Sequence, residues 1–306
     1  MATLEFIARS GASVTAYGSM EEMWAASPDL TGFGFSLNDD WYTISDSKSN
    51  LDERIVADGA YEVVRDWRSQ LPLSFSCWYR GKTRAAVRAA RNQVNAILGG
   101  GGMVTVRFTD QDEVTERDVS IRSAKPDDDR GQLAFRFNVI SAAPDPHRYG
   151  AEQVFSGIGV PSSGGGLLFP LGTNRTTGLV DASAPYWDFG ADGTSGRVAL
   201  TNDGTTDAFP SIEVYGGLSA GFVIRDQTSG KEVRFERAIP VGSVVTIDQR
   251  TGVAIIDGQG DVSGYITSWD FFSIGPGETH IIQFSPLGTV SGTPTATLRF
   301  QSAYVG

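Results

Sequence analysis

Leu71, Leu73, Phe75 and Cys77 alternate with Pro72, Ser74 and Ser76, and this period of two predicts a strand with one buried face. Similar short patterns over "TLEFIA" and "TGFGFSL" predict further strands near the start of the chain. At "KTRAAVRAARNQVNAIL", residues 82–98, the period changes. Val87, Ala90, Val94, Ile97 and Leu98 fall on one helical stripe, Arg84, Arg88 and Arg91 on a second face, and Ala85, Ala89 and Ala96 on a third. Gly99 to Gly102 predict where this helix stops. "MVTVRF" and "VTERDVSI", joined through "TDQDE", then predict a β-hairpin with an acidic tip.

The strand "QLAFRFNVIS" runs into Pro144-Asp145-Pro146. Proline cannot donate to a ladder and holds its predecessor extended, so two within three residues predict the end of a sheet and of a domain. The expected domains are 1–147, an α+β unit made of a β-sandwich, one helix and a hairpin, and 148–306. Residues 156–166, "SGIGVPSSGGG", have the composition of a flexible segment. Beyond residue 196, "RVALTN", "SIEVYG", "GFVIRD", "KEVRFER", "SVVTID", "GVAIID", "WDFFSI", "THIIQF" and "ATLRFQSAYV" predict a β-sandwich or jelly roll. Asp226–Gly230 and Asp248–Gly252 repeat one turn pattern, opened by Asp and closed by Gly, as expected of a type I turn with a glycine bulge.

Length fits two domains, and the 37 glycines and 13 prolines fit many tight turns. Net charge is −11, with 17 basic and 21 acidic residues in 1–150 and 8 and 15 in 151–306. An acidic surface argues against holding nucleic acid through its phosphates, although DNA could pass without sticking. Cys77, the single cysteine, excludes an internal disulfide and reads as a buried structural thiol. The first residues lack an apolar core behind a basic segment, and no apolar run reaches membrane-spanning length, so neither secretory signal nor span is expected. Without export, the acceptor pattern Asn174-Arg175-Thr176 carries no meaning.

Little in the sequence promises chemistry. Gly81-Lys82-Thr83 ends like a P-loop, but Ser76 stands where the loop needs its first glycine. His147 and His280, with one cysteine, give no zinc pattern, and no Gly-x-Ser-x-Gly elbow is present. Trp187-Asp188 and Trp269-Asp270 could form a sugar platform, although such pairs more often belong to a core or rim. No catalytic residue, cofactor or metal is expected.

The order of parts resembles the distal tail protein of long, flexible-tailed bacteriophages. "FRFNVISAAPDPHRYG" is similar to the strand and acidic-proline junction that closes that family's N-terminal domain. "TNDGTTDAFPSIEVYG", "TID" and "IGPGETHIIQF" follow in the order of its galectin-like second domain. The resemblance implies a structural virion protein at the tail tip, made in the bacterial host cytoplasm. It implies a hexameric ring that joins the tail tube to tip and receptor-binding proteins and leaves a channel for DNA. The sugar-binding cluster of true galectins has no match; His280 lacks the Asn-x-Arg that should follow it. The alternative from a different class is a carbohydrate-binding or glycan-hydrolysing module of a tail tip.

A ring of one subunit type needs a heterologous contact between two different patches. The helix face of Arg84, Arg88 and Arg91 is one candidate, and the hairpin acids Asp110, Asp112, Glu113 and Glu116 are its complement. A solvated basic face is the competing reading of the same arginines.

Overall fold

The computed structural model describes residues 2–19, 23, 31–37, 41–48, 58, 67–127, 133–162 and 195–306. Asn174-Arg175-Thr176 and Trp187-Asp188 lie outside them. The chain divides into one unit of Met1–Ala151 with Ala303–Gly306 and a second of Glu152–Ser302.

The first unit contains β1 (Ala2–Ala8), β2 (Ser13–Tyr17), β3 (Gly32–Leu37), β4 (Leu71–Arg80), α1 (Arg84–Leu98), β5 (Met103–Asp110), β6 (Glu113–Asp127), β7 (Ala134–Ala143) and β8 (Arg148–Gly150). The last strand of the chain, β20 (Ala303–Tyr304), returns to it. These strands form one nine-stranded sheet in the order β20-β8-β6-β5-β1-β2-β3-β4-β7, with a further pairing of β7 to β6. That pairing closes β1 to β7 on themselves, where a sandwich was expected. The cause is the long strand β6. Its first part pairs with β5, its register shifts between Ile121 and Ser123, and its second part pairs with β7. A bulge of this kind bends a strand enough to let one sheet close.

Inward-facing Leu4, Phe6, Leu73, Phe75, Val106, Phe108, Val119, Phe137 and Val139 fill the closed sheet. The stripe of α1 joins the same core, with Val87, Ala90, Val94, Ile97 and Leu98 all buried. Each fully buried aliphatic side chain of this size contributes roughly 1.5–3 kcal/mol. Thr83, which looked like the end of a P-loop, is the N-cap of α1, its hydroxyl accepting from Ala86 N at 3.1 Å. At the other end, a Cβ on Gly99 would lie 2.5 Å from the Asn95 carbonyl oxygen. Cys77 is buried, and burial pushes its thiol up to about 12.

The second unit has two sheets. One runs β10 (Arg197–Thr201), β18 (Thr279–Pro286), β12 (Phe222–Asp226), β13 (Glu232–Phe235) and β17 (Ile266–Trp269). The other runs β16 (Gly260–Asp261), β15 (Val253–Ile256), β14 (Val244–Asp248), β11 (Ser211–Tyr215), β19 (Thr295–Phe300) and β9 (Gln153–Gly159). Ile212, Val214, Phe222, Ile224, Phe235, Val245, Ile247 and Phe284 supply the buried faces of a sandwich. Both Asp-to-Gly turns have the expected form. Asp226 and Asp248 accept from the backbone two residues on, and Gly230 and Gly252 take φ of 77° and 71°.

Three expectations change. Arg148–Gly150 belongs to β8 of the first unit, because it pairs with β6 and β20. Residues 156–159 are strand, because β9 pairs with β19. "WDFFSI" is a strand end and a turn, because Trp269 closes β17 and Phe271 N donates back to the Trp269 carbonyl at 2.8 Å.

Candidate assembly interface

The α1 face predicted to be basic is present but divided. Arg84 and Arg88 are exposed. Arg91 is half-buried, with its guanidinium 5.0 Å from the centroid of the Phe135 ring. It lines a cleft of about 180 Å³ with Val94, Asn95, Ala124, Phe135 and Phe137. Arg91 therefore serves its own unit, while Arg84 and Arg88 stand in solvent beside the exposed Ala85 and Ala89.

The hairpin is divided in the same way. Asp110 and Asp112 are exposed at its tip, on either side of Gln111 at φ 52°. Glu116 is held by Arg107 at 3.2 Å, and Arg107 also reaches Glu5 at 3.4 Å. Glu113 pairs with Arg148 at 3.1 Å. On the same outward face, Thr105 donates to Asp118 at 2.6 Å. Glu5, Glu116 and Asp118 around one Arg107 leave this face acidic. Exposed pairs of this kind contribute ~0–1 kcal/mol each, so they fix side-chain positions more than they stabilise.

Below the hairpin lies a polar network absent from the expectations. Arg117 is 1% exposed, sits 4.8 Å from the Trp41 ring and donates to the carbonyls of Trp41 and Pro146. Burial first, and then the charge of Arg148, lower its pKa to about 9, against the attraction of Asp145. Trp41 Nε1 donates to Thr115 Oγ1 at 2.9 Å. Asp145 of the proline junction accepts from His147 N at 3.1 Å and from Tyr149 Oη at 2.7 Å, and contacts His147 Nδ1 at 2.7 Å. Arg148 stacks on Tyr42 at 4.3 Å and Tyr304 at 5.3 Å. The acidic-proline motif thus builds a buried knot that positions the base of the hairpin. Its sequence signal was Arg117, which shares the inward register of Thr115 and Val119 on β6.

In the second unit the motif stretches meet one another. Asn202 is fully buried; its amide donates to the Thr206 and Ile274 carbonyls at 2.7 and 2.8 Å and its Oδ1 accepts from Gly204 N at 2.9 Å. Asn202 N and O pair with Glu278 O and Gly277 N. The "NDG" and "GPGETH" segments are therefore one hydrogen-bonded corner. His280 lies between Asp226 (2.7 Å) and Glu278 (3.1 Å). Both histidines are held by carboxylates of their own units, and the described residues contain no group of three or more metal-ligating side chains. Among the described residues no helix is long and apolar enough to cross a membrane.

Residues 203–304 match the family described as siphovirus-type tail component, C-terminal domain. No curated protein matches the chain. A chain in the structure of the phage P2 baseplate in its activated conformation with Ca aligns with 99% of this chain and 98% of its own length, with a TM-score of 0.55 at 10% identity. The baseplate with Sr gives 98% and 98%, 0.52 and 9%. The SPP1 Dit (gp 19.1) protein, described as a paradigm of the hub adsorption apparatus in phages infecting Gram-positive hosts, aligns with 89% of this chain and 98% of its own, with a TM-score of 0.49 at 12% identity. The baseplate likenesses establish a shared, mainly β fold. Together with the family match over residues 203–304, they make this chain similar to siphovirus-type tail components.

Proposed function

We propose that this protein is the distal tail hub, forming a six-fold ring that joins the tail tube to baseplate and receptor-binding proteins around a channel for DNA. The family match over residues 203–304 carries this reading. The first unit makes the ring, and the second, a galectin-like domain, offers an outward docking surface. A net charge of −11 suits a channel that DNA must cross without adhering.

Subunits join by the exposed Arg84 and Arg88 of one copy meeting the exposed Asp110 and Asp112 of the next. What supports this is charge complementarity between two faces of the same unit. Arginine–carboxylate geometry sets register, while the small exposed Ala85 and Ala89 allow close backbone approach. Arg91, Glu113 and Glu116 support these faces from within the subunit. The test is light scattering after size exclusion at moderate salt. Wild-type protein should elute as rings and Arg84→Glu/Arg88→Glu as folded monomers. Rings from the double variant overturn the contact, and a wild type monomeric at every concentration overturns the ring.

A further inference from the structure

Among the described residues, the five-stranded sheet ends at β17. Trp269 pairs across the ladder with Val233, which is fully buried. Antiparallel partners share a face, so the indole leaves the strand toward the core side. With no further strand beyond β17 among the described residues of this sheet, Trp269 is 50% exposed. The tight turn at Asp270 then brings the Phe271 ring against it, with centroids 5.6 Å apart and planes at 83°. Gly252 supports the pair from the adjoining turn: a Cβ there would lie 3.2 Å from the Phe271 ring and 3.7 Å from Trp269. The buried Gln249 ties that turn to the aromatic segment, its Oε1 accepting from Phe272 N at 3.0 Å.

We propose that this edge is a binding site for a neutral glycan, with the exposed part of the Trp269 indole stacking on a pyranose ring and Asp270, Arg250 and Thr251 hydrogen-bonding its hydroxyls. A ring fixed by Phe271 and Gly252 loses little freedom when a ligand meets it. Arg250, Thr251 and Asp270 are exposed around it. A protein hot spot sits instead among apolar contacts that exclude water. A sugar presents C–H faces and hydroxyl edges together, and so needs an aromatic surface beside convergent polar groups. Charge narrows the class. Residues 151–306 hold 15 acidic and 8 basic side chains, which disfavours phosphate-bearing or uronic polymers. The site is independent of ring assembly.

The full chain should be titrated with maltoheptaose, cellohexaose and linear β-1,4-galactan, read by tryptophan fluorescence and calorimetry. At least one probe should bind with a Kd of about 0.1–5 mM. Trp269→Ala should weaken that binding by roughly tenfold or more and Trp269→Phe by less. Because Trp269 also seals the core edge, Asp270→Ala is the second variant. It should weaken binding while leaving the melting temperature of the protein unchanged. No binding of any probe up to about 20 mM overturns the proposal. So does equal binding by wild type and Trp269→Ala, or Trp269 found beneath a protein subunit in an assembled tail.

Discussion

The guanidinium of Arg148 donates through Nε to the carbonyl of Gly306, a residue 158 positions further along the chain. The same side chain reaches Glu113 and stacks on Tyr42 and Tyr304. One arginine therefore ties the proline junction, the hairpin base and the returning end of the chain into one knot. Arg148→Ala leaves the Gly306 carbonyl without this donor and removes the plane between two tyrosines. It should cost about 2–4 kcal/mol. Deleting residues 303–306 should cost a similar amount, and the two changes together should cost less than their sum because they remove the same contacts. Chemical denaturation of the four proteins measures this. Full additivity would mean that the contact does not exist in solution.

The boundary drawn by contacts gives a second expectation. A fragment of residues 152–302 keeps every strand of both sandwich sheets and should unfold cooperatively as a β-protein. A fragment of 148–306 adds Arg148–Gly150 and Ala303–Tyr304, which pair with each other, but lacks β6, which joins them to the rest of their sheet, and should be no more stable. Circular dichroism against temperature decides. An unfolded 152–302 beside a folded full chain would show that the second unit depends on the first.

Local signals were legible wherever one face of an element was buried. The α1 stripe is the clearest case, since all five residues of the pattern are buried. The two Asp-to-Gly turns were equally readable, because positive φ at Gly230 and Gly252 leaves few alternatives. Closure of the first sheet was not legible. It depends on a register shift at Ile121/Ser123, and alternation reads the same on both sides of a bulge. The contact boundary falls after Ala151 rather than at residue 147 for a related reason. Pro144 and Pro146 do interrupt a strand, but β8 recovers its pairing through residues at the far end of the sequence. At the candidate interface, charge spacing identified the faces but not their internal use. Nothing local signals that Arg91 turns onto Phe135 or that Glu113 meets Arg148.

Asp226 supplies a pH expectation. Burial by itself raises its pKa, but hydrogen bonds from Ser229, Thr228 and His280, with the charge of His280, outweigh it and hold the group below its ordinary 3.8. A carboxylate lowered on folding stabilises fully above its unfolded value and loses that contribution as pH falls through the folded one. The second unit should therefore keep its Asp226 contribution at neutral pH and lose it below 3.8. Asp226→Asn should destabilise the protein at pH 7 and flatten this acid limb. Thermal melts of both proteins between pH 7 and pH 2 test it; parallel acid limbs would remove Asp226 as the cause.

The ring contact makes a sharper demand than loss of assembly. In a heterologous ring each subunit gives its helix to one neighbour and its hairpin to the other. Arg84→Glu/Arg88→Glu alone sets Glu against Asp at every contact, and Asp110→Lys/Asp112→Lys alone sets Arg against Lys. Each variant should be monomeric. Mixed in equal amounts, they can alternate: the Glu-bearing helix meets the Lys-bearing hairpin, and the native helix meets the native hairpin. Rings with an even number of subunits should then reform, and six is even. A single chain carrying all four changes should also form rings. Raising salt to about 1 M shortens the screening length to about 3 Å and should weaken both rescues. Mass photometry of the mixture and of the fourfold variant reads the outcome directly. If both remain monomeric while the wild type forms rings, the basic helix face and the acidic hairpin do not meet, and the contact must lie on another pair of surfaces.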